Sequence, residues 1–519
     1  MTAQGKYYVG VDIGTTSTKA VLYTENGYVK GSQTIGYPLY TPNLLIAEQD
    51  PAEIFEAVLN VIRDVIRTSG NAAQALRFIS FSSAMHSLIA VDEEGKLLTN
   101  SITWADTRSA EYAEKIKDEH NGHEIYRRTG TPIHAMSPLA KLVWLKKEKP
   151  NIFLKADKFI SIKEFVFHQL FDRYVVDYSI ASATGLFNLN SLDWDEGALE
   201  LAGIDRSRLS EIVPTTCTLN NVRQAYREYM GIDQATPFVI GASDGVLSNL
   251  GVNAVDPGSV AVTIGTSGAI RTIYNEPKTD PKGRVFCYAL TDQHWVIGGP
   301  VNNGGIVLRW LRDEFAAAEV EAAKRLSIDP YDVLTEIAAS VNPGADGLIF
   351  HPYIKGERAP LWNANARGSF FGLGIHHQKQ HLVRAVLEGI IYNLYTVLLA
   401  LEELTGEPRR IQATGGFARS EMWRQMMANI FDNQVTVPES FESSSLGAVV
   451  LGMYATGEID DFSVVSQMVG ETNTHYPDEK SANIYRELLP IYIRLSWVLE
   501  KEHDSIAAFQ HKHLLSNEE

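Results

Sequence analysis

Residues 12–19, Asp-Ile-Gly-Thr-Thr-Ser-Thr-Lys, form a short polar turn between two apolar, β-prone runs at 8–11 and 20–23. That pattern predicts a β-hairpin. Hydroxyls and exposed amides donate to phosphate oxygens, and Lys19 adds charge. Gly14 lets a ligand approach the backbone. Asp12 only accepts, so it repels a phosphate unless a cation lies between them. Magnesium suits that place, because it takes oxygen ligands and keeps phosphates in its shell. An ordinary polar turn is the plain alternative. The stretch recurs about half a chain later, where residues 260–274 repeat the strand–Ile-Gly-Thr–strand pattern around Gly265 and Thr266. A repeat of that length points to two like-folded halves, each with a phosphate-handling hairpin. Thr263 stands where the first copy has Asp12, so only the first half is equipped for the metal.

The second stretch with chemistry is 237–247, an apolar run that stops at Gly241-Ala242-Ser243-Asp244-Gly245. It predicts a buried strand, a glycine turn and a helix, the place where open α/β sheets work on ligands. Asp244 at the strand end can take a proton from an attacking hydroxyl. The same residues fit G-x-S-x-G, the nucleophile elbow of α/β-hydrolases, with Ser243 as nucleophile and His294, His351, His376, His377 or His381 downstream. That rival leaves both hairpins unexplained. His86, after a strand, is a pocket candidate or a hydrogen-bonded core histidine. Trp104, Asp106 and Arg108 supply an aromatic wall, a carboxylate and a guanidinium. Read as an extended segment, the two charges share a face and suit a polyol with an acidic end; a surface ion pair is the plain reading. Lys163 ends a strand-like run and faces either a cleft or solvent. Glycines at 298–305 precede a helix starting near Ile306, whose N-terminus favours anions. Gly415-Gly416 sits between a strand and a helix and either lies against a flat base or is a tight turn.

The elements that must position these groups alternate. A helix is expected within 47–68, from Asp50-Pro51 onward, and strands at 76–81 and 88–91, the latter closed by a turn at 92–95. Ser137-Pro138 opens a helix whose Trp144 and leucines read as core. Residues 159–164 read as a strand ending in Lys163 and Glu164. A long helix over 382–404 has one broad apolar face, interrupted by Glu388 and Asn393, and reads as core rather than membrane. The tail after Pro477 reads as helical. Strand and helix in alternation make the fold α/β. With 519 residues, the repeat argues for two domains, 1–252 and 253–519. A net charge of −17 argues against a nucleic-acid partner and leaves an anionic substrate to be caught by local cations. No signal peptide or uncharged apolar run of membrane-spanning length is read. Two cysteines, Cys217 and Cys287, stand in neither a metal nor a redox spacing. The expected location is the cytoplasm, with no membrane partner.

Taken together and in order, these stretches resemble the FGGY family of carbohydrate kinases, within the superfamily of sugar kinases, actin and heat-shock chaperone ATPases. The hairpin at 12–19, the stretches at 137–145, 241–245 and 263–268, the helix around 384–389 and Thr414-Gly415-Gly416 carry the resemblance. Within the family, residues 79–87, 102–106, 298–305 and 356–362 are most similar to kinases of gluconate. The resemblance implies two ribonuclease-H-like, actin-like ATPase domains with a central cleft. It implies ATP and Mg2+, with D-gluconate phosphorylated on its terminal hydroxyl, and a homodimer as a family-level expectation. It places Asp244 as general base and Asp12 near magnesium. Thr15, Thr16 and Lys19 match the first phosphate hairpin, and Gly265 and Thr266 the second. Gly305, Arg309, Gly415, Gly416 and Ser420 fall near the nucleotide; Ser420 departs from the Asn of glycerol kinases. Met85, His86, Trp104, Asp106 and Arg108 fall on the sugar side, with Arg108, His86 or Lys163 candidates for the carboxylate. The alternatives are another polyol or ketose such as xylulose, or a non-sugar ATPase of the superfamily. The spacing at 10–14 lacks the G-x-G-x-x-G of a nicotinamide enzyme, and the chain has no P-loop.

Overall fold

Two largely buried apolar runs form β1 (Tyr7–Ile13) and β2 (Ser17–Thr24), joined by the turn Gly14-Thr15-Thr16 and paired antiparallel with Asp12 opposite Lys19. The computed structural model describes residues 5–43, 45–68, 70, 75–438, 442–470 and 472–514. β3 (Val29–Gly36) pairs antiparallel with β2. α1 (Pro51–Thr68) follows, and its Ile54, Val58, Val61, Ile62 and Val65 recur at helical spacing and are buried against the sheet. Each of those side chains contributes about 1.5–3 kcal/mol by leaving water. β4 (Leu76–Ser83) lies parallel to β1, with Ser82 beside Asp12.

α2 (Pro138–Glu148) starts as its sequence predicts: Ser137 accepts from the Ala140 amide and Pro138 fills the first turn. The run at 159–164 is different from the expectation. The strand is only Lys158–Ile160, and α3 (Ile162–Phe171) begins at once behind a capping box in which Ser161 and Glu164 satisfy each other's backbone amides. The S-x-x-E spacing that announces such a cap is present in the sequence. Lys163 therefore points from a helical first turn, not a strand end. α4 (Tyr178–Ser182) is a short helix capped by Asp177. β5 (Phe238–Ser243) lies parallel to β4 and runs straight into α5 (Asp244–Gly251). The carboxyl ends of β1, β4 and β5 thus carry Asp12, Ser82 and Asp244.

The chain divides into two compact units, and both are discontinuous: residues 1–257, 273–297 and 442–470 form the first, and residues 258–272, 298–441 and 471–519 the second. In the second, β6 (Ser259–Ile264) pairs antiparallel with β7 (Gly268–Tyr274), closing the repeated hairpin. β6 lies parallel to β8 (Arg410–Thr414), which is parallel to β9 (Val435–Pro438); β10 (Thr472–His475) closes the edge antiparallel to β9. α6 (Gly305–Phe315) follows the glycine run. α7 (Lys379–Thr405) is long and apolar enough by composition to cross a membrane, but most of its side chains are buried within the protein. α8 (Glu421–Phe431) follows β8.

α9 (Ser443–Ala455) belongs to the first unit although it comes late in the chain. Its Leu446, Val449, Val450 and Leu451 share a core cluster with Tyr8, Phe78, Val246 and Leu247. α5 and α9 approach backbone to backbone. A Cβ on Gly447 would meet the Leu247 carbonyl oxygen at 2.0 Å, and one on Gly251 the Ser443 oxygen at 1.8 Å. α10 (Glu479–Val498) and α11 (Glu500–Leu514) form the predicted helical tail. α10 anchors to α7 through Tyr485, which donates to Glu388 at 2.8 Å.

Candidate active site

In the first unit, the parallel register brings two carboxylates within each other's field. Ser82 Oγ donates to Asp12 Oδ1 at 2.6 Å. Burial, then the charge of Asp244, pushes the Asp12 carboxyl up to about 6. A carboxylate so placed is one that a bound cation would relieve, and its oxygens are of the chemistry that magnesium takes. Lys19 is half-buried and forms an ion pair with Glu442, the residue preceding α9. Glu442 lies 423 positions from Lys19, and local sequence patterns do not reveal it as part of the hairpin's surroundings. Asp244 occupies the first turn of α5, and its Oδ1 accepts from the Gly245 amide at 2.7 Å. Ser243, the nucleophile of the hydrolase reading, is fully buried and shares a 2.9 Å hydrogen bond with Ser179 Oγ. His294 Nδ1 instead pairs with Thr291. That reading fails.

On the expected sugar side, Trp104 Nε1 donates to Thr15 Oγ1 at 2.9 Å, joining the aromatic wall to the hairpin. Gln49 donates to the Thr15 carbonyl at 2.6 Å. Thr16 at the tip is exposed, and Met85 is half-buried. His86 is buried in a left-handed conformation (φ 69°), with Nδ1 2.7 Å from the Ala183 carbonyl. A carbonyl only accepts, so Nδ1 carries the proton and, in the neutral ring, Nε2 is the accepting nitrogen. The segment after Thr103 is a turn, not extended: the Asp106 amide donates to the Thr103 carbonyl at 3.2 Å. Asp106 is 1% exposed, and its oxygens take the Ala47 amide, the Arg108 amide and the Arg108 guanidinium. Arg108 is also paired with Glu48 and lies over the Trp144 ring at 4.7 Å. Asp106 is closed to ligand, while half-buried Arg108 lines a cavity with Glu48 and Trp144; the pair braces the turn that carries Trp104. Lys163 is buried against Asp177 at 2.8 Å and the Ala242 carbonyl at 3.2 Å, which removes it as a candidate for a substrate carboxylate.

In the second unit, the repeated hairpin is hooked to the start of α6. The Gly305 amide donates to the Gly265 carbonyl at 2.7 Å, and the Ile306 amide to the Thr266 carbonyl at 3.0 Å. Thr266 and Arg309 are exposed. The loop before α6 is held by a fully buried carboxylate, Glu357, which accepts from Asn303 Nδ2 at 2.9 Å and Asn393 Nδ2 at 2.7 Å. Burial raises its pKa. Gly415 has φ 106°, and a Cβ would meet the Ile264 carbonyl oxygen at 2.3 Å, so β8 meets β6 there with no room for a side chain. Gly416 has open space around it. Ser420 caps α8, accepting from the Trp423 amide at 3.3 Å.

These arrangements can be set beside known proteins. Residues 7–251 match the N-terminal domain of the FGGY family of carbohydrate kinases and residues 260–456 its C-terminal domain. The chain is 63% identical over 505 residues to a gluconokinase of Bacillus subtilis (strain 168), covering 97% of this chain and 98% of that one. Among solved structures it is similar to a gluconate kinase from Lactobacillus acidophilus, at 41% identity and TM-score 0.91 over 97% of this chain and 100% of that one. A ligand-bound structure described as xylulose kinase from the same organism is similar at 41% identity and TM-score 0.91, over 96% of this chain and 100% of that one. The chain therefore belongs to the FGGY family of carbohydrate kinases.

Proposed function

We propose that the protein transfers the γ-phosphoryl group of ATP to the 6-hydroxyl of D-gluconate. The observation that carries the reading is Asp244 at the carboxyl end of β5, beside the ends of β1 and β4 that carry Asp12 and Ser82. The near-full-length likeness to a gluconokinase supports the substrate. Asp244 takes the hydroxyl proton as the oxygen attacks the γ-phosphorus in line; that O–P bond forms, the bond to the bridging oxygen breaks, and ADP leaves. Lys19 faces the charge that grows on the transferred group. Asp12 would hold magnesium, which when bound neutralises charge on the phosphate oxygens. Thr15 and Thr16 offer donors on the first hairpin, Gly265 and Thr266 on the second. Gly305, Arg309, Gly415, Gly416 and Ser420 surround the nucleotide, with the Ser420 hydroxyl serving its helix cap rather than the base. Met85, His86 and Trp104 face the sugar acid, while Asp106 and Arg108 brace that wall. The functional division falls at 252/253, sugar chemistry before it and nucleotide binding after it. The protein acts in the cytoplasm, consistent with two free cysteines; light scattering tests the homodimer.

ADP release with MgATP, measured across D-gluconate, D-xylulose, L-ribulose, glycerol and no sugar, tests the reading. Stimulation by gluconate is the expected result. The likeness to a protein described as a xylulose kinase makes D-xylulose the second reading. Stimulation by xylulose alone would leave the mechanism and replace the substrate.

A further inference from the structure

Lys141 is fully buried, yet among the described residues no carboxylate is one of its hydrogen-bond acceptors. Its Nζ donates to the carbonyl oxygens of His86 at 2.6 Å, Thr103 at 2.7 Å and Ile102 at 3.2 Å. An ammonium has three donors. Here all three are matched by main-chain oxygens from two separate segments. One segment is the tight turn after β4, where His86 sits in a left-handed conformation with its ring fixed to Ala183. The other leads from Ile102 into the turn that carries Trp104, whose indole reaches Thr15 of the phosphate hairpin. The cation stands on α2, between Leu139 and Leu142, both fully buried. A buried charge is a costly way to join two loops. An apolar side chain would fill the same space but would take the ammonium donor from the His86 carbonyl and leave the Ile102 and Thr103 carbonyls to the Leu88 and Asp106 amides alone.

We propose that Lys141 is a positioning residue for sugar-acid recognition: its ammonium ties the His86 turn to the 102–104 turn and so sets the imidazole and the indole against the acceptor. The proposal rests on the reading that His86 and Trp104 face the sugar. It predicts a split between the two substrates, because the tie joins two acceptor-side turns directly and reaches the phosphate hairpin only through the Trp104–Thr15 bond. In Lys141→Met, KM for gluconate rises about tenfold or more, since misplacing recognition groups by an ångström costs on that order. KM for MgATP stays within about twofold. Lys141→Gln, which keeps amide donors on a shorter stem, falls between wild type and Lys141→Met. If the Met variant does not accumulate folded, the Gln variant is read alone in the same assay. Val58→Ala, a core truncation in α1, controls for destabilisation and leaves both KM values unchanged. Trp104→Phe tests the underlying site: a raised gluconate KM there with an unchanged one in the Lys141 variants overturns the proposal and keeps the site. An unchanged gluconate KM in both overturns the site reading and the proposal with it. Equal rises in both substrates' KM for the Lys141 variants reduce the residue to a general structural role and also overturn the proposal.

Discussion

Asp12 and Asp244 come to the same end of one sheet from strands more than two hundred residues apart, and the consequence is written in the proton affinity of Asp12. Burial and the Asp244 charge raise it from 3.8 to about 6. The folded protein therefore binds that proton more tightly than the unfolded chain. The resulting stabilisation is complete below about pH 4 and is lost as pH rises through about 6. At neutral pH an ionised Asp12 is a liability to the metal-free fold. Asp12→Asn is expected to raise stability in EDTA at pH 7.5 by about 1–3 kcal/mol, an advantage that vanishes near pH 4, while phosphoryl transfer is lost. Thermal melts at the two pH values check it. In the wild type, kcat/KM is expected to fall below about pH 6, as Asp12 takes up a proton and ceases to hold the cation. Asp244→Asn is expected to lower kcat about 10²–10⁴-fold with little change in either KM, because the side chain keeps its shape and loses only its basicity. Ser243→Ala should keep near-normal turnover, as a buried hydroxyl paired with Ser179 takes no part in chemistry.

At the scale of elements, function depends on how closely backbones pass. β8 meets β6 at Gly415, where a methyl group would lie 2.3 Å from a carbonyl oxygen. Gly415→Ala must push the turn outward and, at φ 106°, adds backbone strain. The expected result is a KM for MgATP raised about tenfold with gluconate KM unchanged, read from steady-state kinetics. A Gly415→Ala enzyme with wild-type ATP affinity would remove this turn from the nucleotide side. The helices give a second lesson. The capping box at Ser161 and Glu164 turns what reads as a strand end into the first turn of α3, and with it Lys163 into a buried partner of Asp177. Local spacing carried that signal; the charges at 163 and 164 concealed it.

At the scale of the whole molecule, the compact units do not follow the chain. α9 supplies Leu446, Val449, Val450 and Leu451 to a core that includes Tyr8, Phe78 and Val246. A fragment ending at residue 252 lacks that helix. Four buried aliphatic side chains contribute about 6–12 kcal/mol, of the order of a whole domain's net stability. The fragment is expected to be unfolded or aggregated when expressed alone, and to recover structure only when the segments 273–297 and 442–470, which complete the same unit, are both supplied in trans. Circular dichroism and sedimentation check it; a soluble, cooperatively melting fragment 1–252 would contradict it.

The sequence by itself determined the two hairpins, the helices with clear caps and periodic apolar faces, the strand that ends at Asp244 and the family. Each of these is written in residues close along the chain, where spacing dictates local geometry. It could not say which distant groups face one another. The pairing of Lys19 with Glu442, the return of α9 to the first unit and the three carbonyls around Lys141 join residues tens to hundreds of positions apart. Nor could it tell that Asp106, Arg108 and Lys163 are already satisfied by Ala47, Glu48 and Asp177. A charged residue looks alike in sequence whether it meets substrate or protein. Only packing, which removes water and leaves each polar group to find a partner nearby, decides between the two.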